Sequence, residues 1–267
     1  GFVNPWGHIQ DKYGQSFATD GAYGEGINYV FPGSVFVTAP GAPRRLEGLN
    51  PGSPKHCGLE IVGGRHLPED WQGNLITCDF RAHRVCRFRL TEEGSGYVSR
   101  QMNEVIKSTH VAFRPIDVKL GPDGAIYIAD WYNPIIQHGE VDFRDPRRDQ
   151  THGRIWRVTA KGRPLVEKPE IVGSSPAELV ELLSSPESPT RQFARLELRN
   201  HAPEEAAAAV RKWEAKLPAD AAEREQLRLE AAWALQTLNR FPDDLLVSLR
   251  NSADPRVRAA ALRIGYQ

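Results

Sequence analysis

Apolar positions follow two different rhythms along this chain. In the first part, short strand-like apolar runs alternate with turns rich in Gly and Pro. Runs 75–78, 85–90, 116–120, 125–129 and 154–158 read as strands, and 84–90 shows a clean period of two. In the second of them Val85, Arg87 and Arg89 alternate with Cys86, Phe88 and Leu90. Gly121-Pro-Asp-Gly124 is a turn, because Pro presets φ and Gly takes a positive one. From about Ser174 the spacing becomes helical. Leu229, Ala232, Trp233, Leu235 and Leu238 fall on one helix face. Ser175-Pro-Ala-Glu178 reads as a capping box with Pro at the first helical position. Ser188-Pro189 and Asp254-Pro255 predict the same kind of start, and 189–198 matches 255–264 in pattern. The Pro-rich, charged segment 161–169 between the two rhythms reads as a linker. These patterns divide the chain into residues 1–168, all-β, and residues 169–267, all-α.

A motif recurs within the first part. Gly14-Gln-Ser-Phe-Ala-Thr-Asp20, Gly73-Asn-Leu-Ile-Thr-Cys-Asp79 and Gly124-Ala-Ile-Tyr-Ile-Ala-Asp130 each place an aspartate six positions after a glycine. Such a repeat predicts the middle strand of a β-propeller blade. Since all three copies carry Asp, a structural role is expected, with the carboxylate capping backbone N–H groups in each turn. Three blades are fewer than the roughly four to eight of a closed propeller. The expectation is about three blades of a six-bladed propeller, as an open arc or with further blades before Gly1. The helices read as HEAT-like repeats, stacked so that each covers its neighbour's apolar face. No polar capping repeat precedes Gln267, a second sign of a piece of a longer protein.

Composition narrows the partners. There are 34 basic and 34 acidic residues. No basic stripe argues for nucleic acid and no polybasic segment for an anionic membrane. No apolar run reaches the ~18 residues of a membrane span, and no signal peptide is visible. Cys57, Cys78 and Cys86 form no Cys-x-x-Cys spacing. A three-residue loop at 81–83 would set Cys78 opposite Cys86 for a cross-strand disulfide. The alternative is two half-buried thiols.

Several motifs carry a family resemblance. They are Asn4-Pro-Trp-Gly7, Asn28-Tyr-Val-Phe-Pro32, Gly58-Leu-Glu-Ile61 with Leu67 to Leu75, and the run from Phe113 to Trp131 continued by His152-Gly-Arg-Ile-Trp-Arg-Val158. The chain resembles the soluble quinoprotein glucose and sorbosone dehydrogenase propellers. It resembles more closely the planctomycete-type membrane-bound dehydrogenase proteins, in which helical repeats follow the propeller. The resemblance implies an exported, periplasmic or envelope-associated protein that oxidises a sugar or alcohol. Electrons would pass to a c-type cytochrome, with haem c in a domain outside this chain. It implies pyrroloquinoline quinone and Ca²⁺ as cofactors, the metal polarising the quinone. By that resemblance Asn4 and Arg114 contact the cofactor, and backbone carbonyls of Phe31 and Pro32 hold the calcium. Two positions depart from the pattern: Ile116 stands where a second Arg is expected, and Val30 where a Gly is expected. The catalytic histidine falls outside this chain, so the fragment alone is expected to be inactive. Two other functions remain open on this fold: a non-catalytic scaffold binding carbohydrate or protein, with partners on the helices, and a Ca²⁺-dependent lactonase-type hydrolase.

Further candidates come from the residues themselves. Arg114 reads either as an anion clamp or as a surface Arg pairing with Asp117. His8, His110 and His138 read as acid/base groups or metal ligands, or as hydrogen-bonded structural histidines. Segment 137–153 gathers Glu140, Asp142, Asp145, Asp149, His138 and His152, an oxygen-rich set suited to Ca²⁺. Arg144, Arg147 and Arg148 lie among them and favour an ion-pair network. Arg191, Arg195, Arg256, Arg258 and Arg263 are expected on solvated helix faces.

Overall fold

A computed structural model of the chain describes residues 2, 4–21, 26–36, 41, 46–50, 55–137, 139–219 and 223–266. His138 lies outside the described residues. The chain forms two compact units. One comprises Gly1–Asp11 and Gln15–Leu165, the other Lys12–Gly14 and Val166–Gln267.

Three antiparallel sheets build the first unit. Sheet I contains β1 (Pro5–Gln10), β2 (Ser16–Asp20) and β3 (Gly26–Val30) in that order. Sheet II contains β4 (His56–Ile61), β5 (Leu75–Asp79), β6 (Arg84–Glu93) and β7 (Gly96–Gln101), with the short β8 (Ile106–Lys107) also on β6. Sheet III contains β9 (Pro115–Leu120), β10 (Ile126–Asp130) and β11 (Arg154–Val158). Each Gly-to-Asp motif is the second strand of its sheet. Its glycine has φ of 70° at Gly14, 74° at Gly73 and 79° at Gly124, the left-handed region where a side chain is strained.

Alternation along the strands decides the packing. Leu75, Cys86 and Phe88 face Phe17 and Ile27 of sheet I. Ile76, Cys78 and Val85 face Val118, Leu120, Ile126 and Ile128 of sheet III. Sheet II is therefore covered on both faces. This is why Val85 to Phe88 are all buried, Arg87 included, although the sequence alternates there. Arg87 stacks on Trp71, 4.3 Å from its ring centroid, and donates to Asn74 Oδ1 at 3.2 Å.

The first strands of the three sheets meet at bulges. Pairing slips between Pro5 and His8 in β1, between Cys57 and Glu60 in β4, and beside Pro115 in β9. A Cβ on Gly7 would lie 2.6 Å from the Gly58 carbonyl carbon. A Cβ on Gly58, whose φ is +64°, would lie 2.5 Å from Asp117 Oδ1 and 2.9 Å from its Cα. Backbones thus touch where side chains would not fit. Threonines seal the gaps the bulges open: Gly7 N donates to Thr19 Oγ1 at 2.8 Å, and Thr77 Oγ1 donates to the Gly58 carbonyl at 2.8 Å.

Of the two alternatives for Cys78 and Cys86 the structure has free thiols and no disulfide, and all three cysteines are buried. The connection after Asp79 has four residues rather than three, so Cys78 pairs with Val85 and Cys86 with Thr77. That one-residue difference puts the two thiols on opposite faces of sheet II. Cys57 is instead the cross-strand partner of Cys78.

Six helices are present among the described residues of the second unit: α1 (Pro176–Glu181), α2 (Ser188–Leu198), α3 (Pro203–Ala215), α4 (Arg224–Thr237), α5 (Asp243–Leu249) and α6 (Pro255–Tyr266). They share one apolar core, to which Tyr13 also belongs. The Ser175 capping box is present with both of its bonds. Ser188, in contrast, is not a cap: it lies inside α2, whose N-cap is Glu187. The arginines expected on solvated faces are spoken for. Arg191 and Arg195 both pair with Glu230, which is 2% exposed. Arg258 donates to the Ser252 carbonyl, and Arg263 to that of Gly14, at 2.7 and 2.8 Å. Among the described residues no helix is long and apolar enough to cross a membrane.

Two consequences can be measured. Gly58→Ala combines a positive φ with a collision against Asp117 backbone. It should lower unfolding free energy by about 1–3 kcal/mol, read from the denaturant midpoint, whereas Gly63→Ala, where nothing lies within 4 Å, should cost far less. His56 is fully buried, its Nε2 3.0 Å from Asn50 Nδ2. Burial lowers its pKa from the ordinary 6.5 to about 4. The unfolded chain therefore binds the extra proton between these values while the folded chain does not. Stability should fall as pH drops from 6.5 towards 4, by about 2–3 kcal/mol, and His56→Gln should flatten that part of the pH profile.

Candidate functional site

All three middle strands end in a buried aspartate, and what those carboxylates hold becomes the site. Asp20 Oδ1 accepts from Asn4 N at 3.0 Å. Asp79 accepts from Ala82 N at 3.1 Å and from Arg84 Nε at 2.9 Å. Asp130 Oδ1 accepts from Arg114 N at 2.8 Å and Tyr132 N at 2.9 Å, while its Oδ2 accepts from Trp156 Nε1 at 3.0 Å. Exposure is 1%, 0% and 3%. At this burial an ionised carboxylate persists only when its oxygens are occupied. The carboxylates therefore cap turns, as their repetition suggests.

At the aspartate end of the sheets lies an open-sided cleft of about 940 Å³. Its walls come from equivalent places in the repeat. Asn4 and Lys55 each directly precede the first strand of their sheet, and Gly21, Phe80 and Trp131 each directly follow the aspartate. The remaining wall is the segment from Asn133 to His152, which contributes Phe143, Asp149 and His152. Trp6, Trp131 and Phe143 remain 53%, 39% and 69% exposed, and the Trp6 and Phe80 rings sit 5.9 Å apart. Clustered exposed aromatics beside polar groups are the ordinary make-up of a ligand site. Asn4, Lys55 and Arg81 supply donors, and His152 supplies an acceptor. Neither Lys55 nor Arg81 has an ion-pair partner among the described residues.

Arg114 is equivalent to Asn4 and Lys55 in the repeat but behaves differently. It is 5% exposed. Its Nε donates to the Asn133 carbonyl at 3.0 Å, its Nη1 to that of Phe80 at 2.8 Å, and its Nη2 to that of Pro134 at 3.1 Å. Burial lowers its pKa. The guanidinium is thus a staple between the loops after β5 and β10. It is neither a surface partner of Asp117, which lies beside Lys119 at 3.8 Å, nor a fork left open for an external carboxylate. A second arginine acts likewise: Arg148 donates to the carbonyls of Asp142, Gln137 and Val141 at 2.9, 2.5 and 2.9 Å. In the same segment Arg147 pairs with Asp145 at 2.7 Å, and His152 with Asp149 at 2.8 Å. Asp145 is held down at about 2, first by the Arg147 side chain. Among the described residues the oxygen-rich segment thus holds separate Arg147–Asp145 and His152–Asp149 pairs rather than the expected connected network, and no three His, Cys, Asp or Glu side chains converge as a metal site.

The structure brings only some of the expected residues together. Asn4 lines the cleft. Phe31 and Pro32 follow β3, whose Gly26 pairs with Asp20 and whose Val30 pairs with Ser16. They therefore lie at the opposite end of sheet I from the cleft, and Phe31 packs near Tyr29 at 5.5 Å. His8 is exposed on β1 beside Ala18, outside the cleft lining. His110 stacks on Tyr132 at 5.7 Å and accepts from Ala112 N at 3.2 Å, in a separate shallow groove. The residues carried over for a tricarboxylate quinone and its calcium do not fit together. The arginine is occupied by carbonyls, and the proposed calcium carbonyls are at the far end of the sheet. Trp6, Phe80, Trp131 and Phe143 were not singled out as site residues. Two signals pointed to them: Phe80 and Trp131 directly follow the repeated aspartates, and Trp6 sits in the Asn-Pro motif.

A family model described as a domain of unknown function (DUF7133) matches residues 24–162, just over half of the chain. The chain belongs to the DUF7133 family. No curated protein matches it significantly. Among solved structures it is similar to an oxidoreductase (glucose dehydrogenase) from Thermus thermophilus, with 22% identity and a TM-score of 0.41 over 58% of this chain and 43% of that one. Two further structures named glucose dehydrogenase show 21% and 19% identity, with TM-scores of 0.42 and 0.41. Each covers 60% of this chain and 45% or 46% of its own. This DUF7133 chain therefore spans less than half the length of the solved structures it matches.

Replacing Arg114 should be costly in a way a surface arginine is not. Arg114→Met would strand three carbonyls in two loops and is expected to destabilise by about 2–4 kcal/mol. Arg114→Lys should recover only part of this, since a point ammonium cannot fork between Phe80 and Pro134. Denaturant unfolding of both variants beside Arg81→Met, which should change stability by less than ~0.5 kcal/mol, is the measurement.

Proposed function

We propose that the three sheets are blades of a propeller in a dehydrogenase-like protein, and that the cleft at their aspartate ends binds a sugar or alcohol. One observation supports this reading: the cleft walls are built from the same repeat positions in different sheets, as a site shared along a propeller axis would be. Its chemistry suits a polyhydroxylated ligand. The aromatic faces of Trp6, Phe80 and Trp131 offer apolar platforms for C–H faces. The amide of Asn4 and the ring of His152 offer partners for hydroxyl groups.

The reaction that the sequence resemblance implies is oxidation of a carbinol or aldehyde carbon, with electrons leaving to a c-type cytochrome outside this chain. No step is assigned to a quinone or calcium here, because the residues carried over for them do not fit. The helices, read as HEAT-like repeats, would serve as a docking surface for a protein partner. A non-catalytic carbohydrate-binding role is the second reading, and the occupied guanidinium of Arg114 is what favours it.

Binding separates these readings from a protein with no site at all. Titration of the chain with a panel of monosaccharides and polyols should quench or shift tryptophan fluorescence. Trp131→Ala should weaken binding roughly 5- to 30-fold, the equivalent of about 1–2 kcal/mol for one aromatic platform. No calorimetric heat with any member of the panel at millimolar concentration would sink the proposal. Dye reduction by the full-length protein on adding sugar would favour oxidation over simple binding.

A further inference from the structure

We propose that His152 is the hydroxyl-accepting residue of the cleft, with its ring tautomer set by Asp149. This rests on reading the cleft as the site of a hydroxylated ligand. His152 Nδ1 lies 2.8 Å from Asp149 Oδ2. A carboxylate only accepts, so the proton of the neutral ring sits on Nδ1 and Nε2 is left as a lone-pair acceptor. Nε2 has no partner among the described residues.

Asp149 is held firmly enough to impose that choice. Its Oδ1 accepts from Thr151 N and His152 N, both at 2.9 Å, and the Thr151 hydroxyl donates to it at 3.1 Å. Its backbone carbonyl accepts from Asn133 Nδ2 at 3.1 Å. These bonds, led by that of Thr151 N, hold the carboxylate at about 2, so it remains an acceptor across the physiological range. The ring itself meets Tyr132 edge-on at 5.9 Å, and Tyr132 is covered on one face by Arg154 at 3.7 Å.

The chemistry of the other walls gives this acceptor its purpose. Lys55 and Arg81 can only donate. Asp149 Oδ1 and Oδ2 are already engaged, and Glu140 Oε2 accepts from Gly139 N at 3.4 Å. A ligand hydroxyl that receives a hydrogen bond from the cationic side must still place its own proton. In the Nδ1–H tautomer, Nε2 of His152 is an acceptor lining the same cleft.

Nuclear magnetic resonance of the 267-residue chain, labelled with ¹⁵N, tests both halves. Long-range ¹H–¹⁵N spectra should show His152 as the Nδ1–H tautomer, and Asp149→Asn should shift that balance. The Nε2–H tautomer in the unsubstituted protein overturns the proposal. Glucose is then added to saturation. Shifts of both the Trp131 indole and the His152 ring support it. A shift of Trp131 without His152 overturns it and leaves the cleft reading standing. If neither moves, the cleft reading falls and this inference with it. His152→Phe should weaken glucose binding about 10-fold, as expected for one lost hydrogen bond, and His152→Gln, which keeps an acceptor, by less.

Discussion

A buried carboxylate at the end of each middle strand is the constraint on which the sheet unit depends. An isolated aspartate at 0–3% exposure would be far costlier than its side-chain packing could repay. Each survives because the chain on either side bends to offer it N–H groups. In sheets I and III the bend joins the residue before the first strand to the end of the second, through Asn4 N and Arg114 N. In sheet II the carboxylate instead holds the following turn through Ala82 N. The residues beside those bonds are thereby delivered to one end of the unit. The cleft is a by-product of satisfying three carboxylates.

The same economy operates along the inner strands. Gly7, Gly58 and Asp117 let three bulged backbones touch, which brings the aspartate ends close enough to share one cleft. Asn50 adds a polar tie. Its Oδ1 accepts from Ile27 N at 2.6 Å, and its amide nitrogen meets the His56 ring. Thus sheet I and sheet II are linked through a neutral histidine. Arg114 then closes the loops above them. Arg114 and the carboxylates hold backbone and His56 holds the Asn50 amide, which leaves the exposed aromatics and the 133–152 segment to face the cleft.

Much of the fold was legible from pattern. The five strand-like runs are strands, the Gly-to-Asp motif marks the second strand of each sheet, and the helical spacing after Ser174 is real. What failed did so for local reasons. A four-residue connection in place of three moved Cys86 one position out of register with Cys78. The alternation around Arg87 marks a strand but does not reveal that Trp71 and Asn74 cover the guanidinium. Arg191 and Arg195 looked solvated because their partner, Glu230, lies 39 and 35 residues away in the chain, a pairing set by packing and not by i,i+4 spacing.

The site was legible only in part, and the part that failed is informative. Asn4 reached the cleft because its position is fixed by Asp20. Arg114 occupies the equivalent position under Asp130, so the same logic puts its backbone in place. Its side chain, however, is longer, and carbonyls of Phe80, Asn133 and Pro134 lie within its reach. Position in a repeat determines where a backbone goes, whereas the end of a long side chain is decided by whichever acceptors surround it. A desolvated guanidinium takes every carbonyl available, because each donor left empty there costs more than the same donor in water. Small amides and rigid aromatics lack that freedom. For this reason Asn4, Phe80 and Trp131, and not the arginine, carry the reading of the cleft.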